Sequence, residues 1–401
     1  MIFVFDPGLK EPQTHHDILD GNLDRVLSQR GRACIFFSHV NLDPNLVKFR
    51  CHPAFRLSPY ADTAALDDRD FARQWRAYAD DIAAIIREHG NPEHLIVHTA
   101  TPALIQGLAV ALHLRTLHCR SLRLQLMFHP LSFVPDGAAA PSTAHARYLI
   151  ALRMLQAGAA AAGTILHVST SCEGFSRIYS RMLRQRVPVH PYALQSSEAA
   201  PEMQPVQPHR SGSRKVLLFS GNVKLDKGIG WVADALPHLL QASGGTEFYI
   251  QLSDTRFGDS LLESAIAKLR VIAAANPRLK LIEGYSSEAQ WNTTLSRMDA
   301  LLIPYAPQAY RYKTSGILFE YLKLARPDAR IIVTDGTWLA EESAHWRLPV
   351  ASVDFANTVQ LGEILASLDD CPAVGNLPTA FPQFWERYFR QGNDAFLTDG
   401  L

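Results

Sequence analysis

Short apolar runs alternate along the whole chain with longer segments whose apolar residues recur every three to four positions. Four to six apolar residues in a row suit a strand buried on both faces, and the periodic segments between them suit crossover helices packed on a parallel sheet. In the first half this predicts strands at 2–5, 33–37, 95–98, 122–127 and 164–168, with helices over 18–30, 70–89, 102–117, 144–161 and 172–184. The pattern fails at 196–213 (SSEAAPEMQPVQPHRSGS), where three prolines and a Ser-Gly-Ser end mark a linker. It then restarts, with strands at 215–219, 248–252, 279–283, 300–304 and 330–334 and helices over 230–242, 261–275, 315–324, 336–342 and 358–368. An amphipathic segment over 382–396, carrying Trp385, Tyr388 and Phe389, closes the chain. The expected architecture is α/β: a Rossmann-like domain at 1–195, a linker at 196–213, a second such domain at 214–380 and a terminal helix and tail at 381–401. In sheets of this kind ligands lie outside the carboxyl ends of the strands, so the turns that follow strands are where chemistry is expected.

Composition narrows the classes. A hydrophobic share of 47% with 19% charged residues excludes a disordered chain and a disulfide scaffold, and 401 residues suit two cores. Basic and acidic residues balance at 39 each, which excludes a globally basic nucleic-acid binder. Five scattered cysteines without a Cys-x-x-Cys pair signal neither zinc nor redox chemistry and read as reduced core residues. The opening MIFVFDPGLKEP lacks a basic n-region, and the apolar stretches 102–117 and 154–168 fall short of a bilayer span. A cytoplasmic protein is expected, at most peripherally associated with a membrane.

Two motifs in the second half carry candidate chemistry. After the strand ending at Phe219 runs Ser-Gly-Asn-Val-Lys-Leu-Asp-Lys-Gly, residues 220–228. Gly221 lets the backbone leave the strand tightly, Gly228 opens the next helix, and Lys227 stands beside that helix N-terminus. A cation next to free backbone N–H groups suits a diphosphate, although the Gly-x-x-x-x-Gly-Lys-Ser/Thr of a P-loop is absent. After the strand ending at Pro304 comes a basic, tyrosine-rich loop, Ala306 to Gly316, with Arg311, Tyr312, Lys313, Thr314 and Ser315. Thr314 or Ser315 is expected to cap the following helix, Gly316 to admit a ligand to the backbone, and Glu320 to reach the ligand from that helix.

Together the motifs resemble the donor domain of the GT-B glycosyltransferases, specifically the retaining group 1 / family 4 type that uses nucleotide sugars. Gly221-Asn-Val-Lys-Leu-Asp-Lys-Gly228 keeps that family's spacing, both glycines and its lysine, with Asn222 where an arginine belongs. Glu320 matches the second glutamate of the Glu-x₇-Glu pattern, and Tyr312 replaces the first, flanked by Arg311 and Lys313. The resemblance implies two Rossmann-like domains facing a cleft, with the terminal helix crossing back to the first. It also implies a nucleoside diphosphate sugar as co-substrate, no other cofactor and no metal. Lys227 would hold the diphosphate and Glu320 the donor, with Gly221, Asn222, Arg311, Tyr312, Lys313, Thr314, Ser315 and Gly316 around it. The acceptor implied is a hydroxyl of a glycan or lipid-linked sugar, as in surface polysaccharide assembly. A non-catalytic GT-B-like protein that binds a nucleotide or a partner is the reading that Asn222 and Tyr312 leave open.

In the first half the loop after the first strand contains Gly8, His15 and His16, and two later strands end in His98 and His129. The second, Leu-Gln-Leu-Met-Phe-His-Pro, resembles that family's histidine-bearing strand end near the donor sugar, which implies His129 as the preferred sugar-contacting group, with His98 behind it. Asp67-Asp-Arg-Asp70 contains Asp-x-Asp, but acids at a helix start favour its dipole without any ion. Between 101 and 190 nine arginines face only Asp136 and Glu173, which suits a diphosphate-bearing lipid or an anionic membrane surface.

Overall fold

The computed structural model describes residues 1–12, 14–61, 67–131, 141–190, 213–221, 223–252, 259–284, 286–355, 358–366, 368–386 and 388. The chain forms two compact units, Met1–Ser197 with Glu386–Leu401 and Glu198–Trp385. Asn222 and nearly all of the expected linker lie outside the described residues.

Unit 1 holds six strands: β1 (Ile2–Asp6), β2 (Cys34–His39), β3 (Cys51–Phe55), β4 (His94–Val97), β5 (Ser121–Leu126) and β6 (Ile165–Thr170). They lie in the order β3-β2-β1-β4-β5-β6, and every pairing is parallel. β1, β2, β4 and β5 are buried along their whole length: the first three through continuous apolar runs, β5 (Ser-Leu-Arg-Leu-Gln-Leu) with Arg123 and Gln125 buried between its leucines. β3 was not expected: Cys-His-Pro-Ala-Phe has no apolar run and contains Pro53. It lies at a sheet edge, the place where a residue without an N–H is tolerated.

Unit 2 repeats the plan with β7 (Arg214–Phe219), β8 (Thr246–Leu252), β9 (Leu279–Glu283), β10 (Ala300–Ile303), β11 (Arg330–Thr334) and β12 (Ala351–Val353). Their order is β12-β11-β10-β7-β8-β9, again parallel. The three-residue edge strand β12 and the helix Glu288–Ser296 are likewise additions to the expected set. The core joins Val216, Leu218, Phe248, Ile250, Ala300, Leu302 and Ile332 of the sheet to Val232, Leu236, Leu239 and Ile266 of its helices. Of the expected helix at 382–396, the structure describes Pro382–Trp385, where Phe384 packs on Phe319 and Trp346; beyond residue 388 the segment lies outside the described residues.

Asp67 is the N-cap of the helix Asp68–His89, its carboxylate accepting from the N–H of Asp70 at 2.7 Å, so the Asp-x-Asp stretch is a helix start. All five cysteines are free thiols, four of them buried. No helix among the described residues is long and apolar enough to cross a membrane.

Each sheet has one point where the strand order reverses, between β1 and β4 in unit 1 and between β7 and β10 in unit 2. The loops that leave the carboxyl ends there diverge to opposite faces and open a crevice.

Candidate functional site

In unit 2 that crevice is built by the two motifs. Gly221 follows β7 at φ +87°, and its N–H donates to Gln251 Oε1 at 3.1 Å. A single helical turn, Leu225–Lys227, then leads to Gly228 at φ +84°, the N-cap of the helix Ile229–Ala242. As a glycine the N-cap has no side chain to offer the N–H groups of the first turn, which can therefore meet a ligand. Gly228 packs directly on the end of β10: a Cβ there would stand 1.9 Å from the carbonyl oxygen of Pro304. Gly228→Ala adds this overlap to a left-handed backbone, so it is expected to destabilise unit 2 by about 3 kcal/mol or more, read from its urea midpoint.

The loop after β10 is tied to the same turn. Ala306 N–H donates to the Asp226 carbonyl at 2.9 Å, and Lys313 Nζ reaches the Asp226 carboxylate at 2.9 Å. Tyr305 is buried, with its hydroxyl 3.1 Å from Ser315 Oγ and its ring 4.1 Å from that of Tyr310. Lys227 Nζ stands 5.8 Å from the Tyr305 ring centroid. Burial and the neighbouring Lys224 push the Lys227 ammonium down to about 8, while Asp226 and Glu320 pull the other way. Glu320 lies in the first turn of the helix Ile317–Leu324, its carboxylate accepting from Trp291 Nε1 at 3.2 Å.

Several expectations change here. The helix starts at Ile317 with Gly316 as N-cap and no capping side chain, so neither Thr314 nor Ser315 caps it; the Ser315 hydroxyl is taken by Tyr305. Lys313 is paired to Asp226 within the protein, and Arg311 is exposed with its guanidinium 5.6 Å from the Tyr312 ring. Lys227, Lys313, Ser315 and Glu320 thus share one crevice with Asp226, Tyr305 and Trp291, three residues that the motif reading passed over.

Unit 1 also concentrates its polar groups at the switch point. Asp6 ends β1 and is buried. One of its carboxylate oxygens accepts from Gly8 N–H at 2.9 Å and from Thr99 Oγ1 at 2.8 Å, and the other lies 2.8 Å from His16 Nδ1. Gly8 leaves no room to spare, since a Cβ there would stand 2.1 Å from His16 Cε1. His16 Nε2 meets the Tyr60 hydroxyl at 2.8 Å, and the exposed His15 reaches the same hydroxyl at 3.0 Å. His98, just beyond β4, meets the buried Asp20 carboxylate at 2.7 Å and lies 3.9 Å from Asp6. Burial alone would lower the His98 imidazolium, but Asp6 and Asp20 outweigh it and lift it to about 9. For Asp20 burial dominates and raises the carboxyl to about 7, whereas His16 and His98 hold Asp6 below the ordinary carboxylate range despite burial.

Asp6, Asp20 and His98 each offer a ligand atom within 4.8 Å of the others. Within that set His98 Nε2 and the Asp20 carboxylate are in direct hydrogen-bond contact at 2.7 Å. His129, beyond β5, is buried; its Nδ1 accepts from Leu131 N–H at 3.0 Å, and its ring centroid lies 5.7 Å from that of Phe175 and 6.3 Å from that of His145.

Two six-stranded parallel sheets with flanking helices match the two-domain α/β architecture of a GT-B fold. No family model matches the chain, and no curated protein matches it. Solved structures do. The UDP-forming α,α-trehalose-phosphate synthase of Burkholderia xenovorans, in complex with glucose-6-phosphate, superposes with a TM-score of 0.65 at 13% identity over 99% of each chain. That of Burkholderia vietnamiensis gives 0.63 at 12% identity over 99% of this chain and 96% of the other. An E. coli trehalose-6-phosphate structure bound with UDP-2-fluoro glucose gives 0.60 at 11% identity, covering 99% and 95%. Identity this low establishes the fold and leaves function to the residues.

Proposed function

We propose that the chain is a glycosyltransferase that moves a sugar from a nucleoside diphosphate sugar to a hydroxyl of a glycan or lipid-linked acceptor, with retention and without a metal ion. The observation that carries this reading is the unit 2 crevice, where Lys227 stands beside a helix N-terminus whose N-cap, Gly228, packs against the end of β10. As the sugar–phosphate bond breaks, negative charge grows on the diphosphate and the sugar becomes oxocarbenium-like. Preorganised N–H groups and one poorly hydrated ammonium stabilise that charge better than water does. Glu320, oriented by Trp291, is suited to the donor's hydroxyls. Two structures of this fold contain UDP-2-fluoro glucose and glucose-6-phosphate, which supports a nucleotide-sugar donor and keeps a phosphorylated sugar among the acceptors to test. His129 is assigned to the transferred sugar by the family resemblance, and the Asp6–His16–Tyr60–His15 set to acceptor hydroxyls.

A thermal-shift screen of nucleoside diphosphates, followed by a hydrolysis assay on the matching nucleotide sugars, tests this. One nucleotide is expected to raise the melting temperature by mass action, and its sugar to be consumed. Binding without consumption favours the non-catalytic reading, and neither response ends both. Donor turnover is also expected to fall as pH rises through about 8, where free Lys227 loses its proton.

A further inference from the structure

The 22-residue helix Pro141–Ala162 buries Ala144, Tyr148, Ala151, Leu152, Leu155 and Ala159 along one stripe. Its opposite face is not polar, as a surface helix normally requires. Leu149 is 37% exposed, Ile150 54% and Met154 38%, and Ala157, Ala160 and Ala161 continue the exposed surface. No acidic residue occurs between Asp136 and Glu173. Within the helix the formal charges are Arg147, which is buried against Asp68 at 3.2 Å, and Arg153.

Arg153 places a basic border beside this apolar face. Its guanidinium approaches the Met182 and Leu183 carbonyls at 3.5 and 3.4 Å, the last turn of the helix Glu173–Leu183. On that helix Arg177 and Arg181 are exposed one turn apart, and the exposed Arg184 and Arg186 follow. Glu173, the acidic residue of that helix, lies in its first turn, about 6 Å along the axis from Arg177 and about 12 Å from Arg181. A protein partner would be met by aromatic anchors and a rim of both charge signs. Here the exposed face is aliphatic and the charges beyond its Arg153 edge are predominantly basic, with Asp68 paired to Arg147 and Glu173 one turn before Arg177, which matches the boundary between acyl chains and anionic headgroups.

We propose that this face of unit 1 docks on an anionic lipid surface. The helix Pro141–Ala162 lies in the interfacial plane, Leu149, Ile150 and Met154 enter the acyl boundary, and Arg177, Arg181, Arg184 and Arg186 meet headgroup phosphates. The arrangement is peripheral, and it stands whether or not the chain transfers sugars.

Co-sedimentation of the full chain with phosphatidylglycerol/phosphatidylcholine vesicles, and with phosphatidylcholine alone, tests it. Binding is expected on the anionic vesicles, weaker on the neutral ones, and falling as salt rises. The triple variant Leu149→Gln, Ile150→Gln, Met154→Gln is expected to lower partitioning more than about tenfold at every salt concentration. Arg177→Gln with Arg181→Gln is expected to cost about fivefold per arginine at low salt and to flatten the salt dependence. All five side chains are exposed, so unchanged circular dichroism and melting confirm folded variants. Absence of binding to anionic vesicles, or a triple variant that binds like the wild type, overturns the proposal. So does a concentration-dependent dimer that the triple variant abolishes, because the face would then belong to a second copy. Neither variant touches the unit 2 crevice, so nucleotide binding in the same samples reports separately on the transferase reading.

Discussion

Lys227→Ala is expected to lower donor turnover by about 10²- to 10³-fold, the usual loss when one preorganised stabiliser of a growing oxyanion is removed. The variant should remain folded, since the ammonium contributes no core packing and its burial is a cost that alanine relieves. Lys227→Arg is not expected to rescue. Even a Cβ on Gly221 would stand 3.3 Å from Lys227 Nζ, so the space around the ammonium is too close for a guanidinium in the same place. Single-turnover kinetics separates the chemical step from donor affinity, and the loss should fall mainly on the chemical step. If Lys227→Ala keeps more than about a tenth of wild-type turnover, the diphosphate charge is met elsewhere and the crevice has been assigned the wrong role. Lys313 is the control for that outcome: its ammonium is committed to Asp226, so Lys313→Ala should loosen the loop after β10 and cost less than Lys227→Ala.

The fold was legible where a strand is marked by a short apolar-rich segment. All ten strands expected from such segments are present, including β5 and β9, where Arg123, Gln125 and Lys280 interrupt the run, and the two not expected, β3 and β12, are edge strands. An edge strand answers to weaker constraints, so Pro53 and His52 can sit in β3, and three residues suffice for β12. Helix boundaries drifted for a related reason. The start of the helix Ile317–Leu324 depends on what the Ser315 hydroxyl bonds, and its partner Tyr305 lies ten residues back in a loop.

Site residues divide along the same line. Gly221, Lys227, Gly228 and Glu320 belong to contiguous strand–loop–helix motifs whose spacing is itself the signal. The unit 1 set draws on positions 6, 16, 20, 60 and 98, which only the strand order brings together. Its histidines were visible as residues after strands, but Asp6 and Asp20, which decide their charge, were not singled out. Two signals existed: an acid closing an apolar strand, and His16 and Asp20 four apart on one helix face. Asp226 and Lys313 are 87 residues apart, and no local pattern links them.

That unit 1 set carries the second large expectation. His98 lies buried between two carboxylates and keeps its proton to about 9, against 6.5 in an unfolded chain. A raised histidine stabilises the fold fully below about pH 6.5 and loses that stabilisation as pH climbs through 9. The difference in pKa corresponds to on the order of 3 kcal/mol. Asp20 acts in the same direction at lower pH: burial lets it keep a proton to about 7, so folding becomes less favourable as pH rises from about 4 to 7. Asp6 opposes both only in acid, because its lowered carboxyl adds stability above about pH 4 that is lost on acidification. The melting endotherm of unit 1 is therefore expected to fall between pH 7 and 10. His98→Gln should lower it at pH 7 by about 3 kcal/mol and remove most of its dependence above that, because the Asp6 and Asp20 carboxylates lose the imidazolium between them. Calorimetry at pH 6.5, 8 and 10 on both proteins decides the matter. A wild type whose unit 1 endotherm stays level, or a variant that falls in parallel with it, would mean that His98 is neutral in the fold and that the carboxylates are compensated by another group.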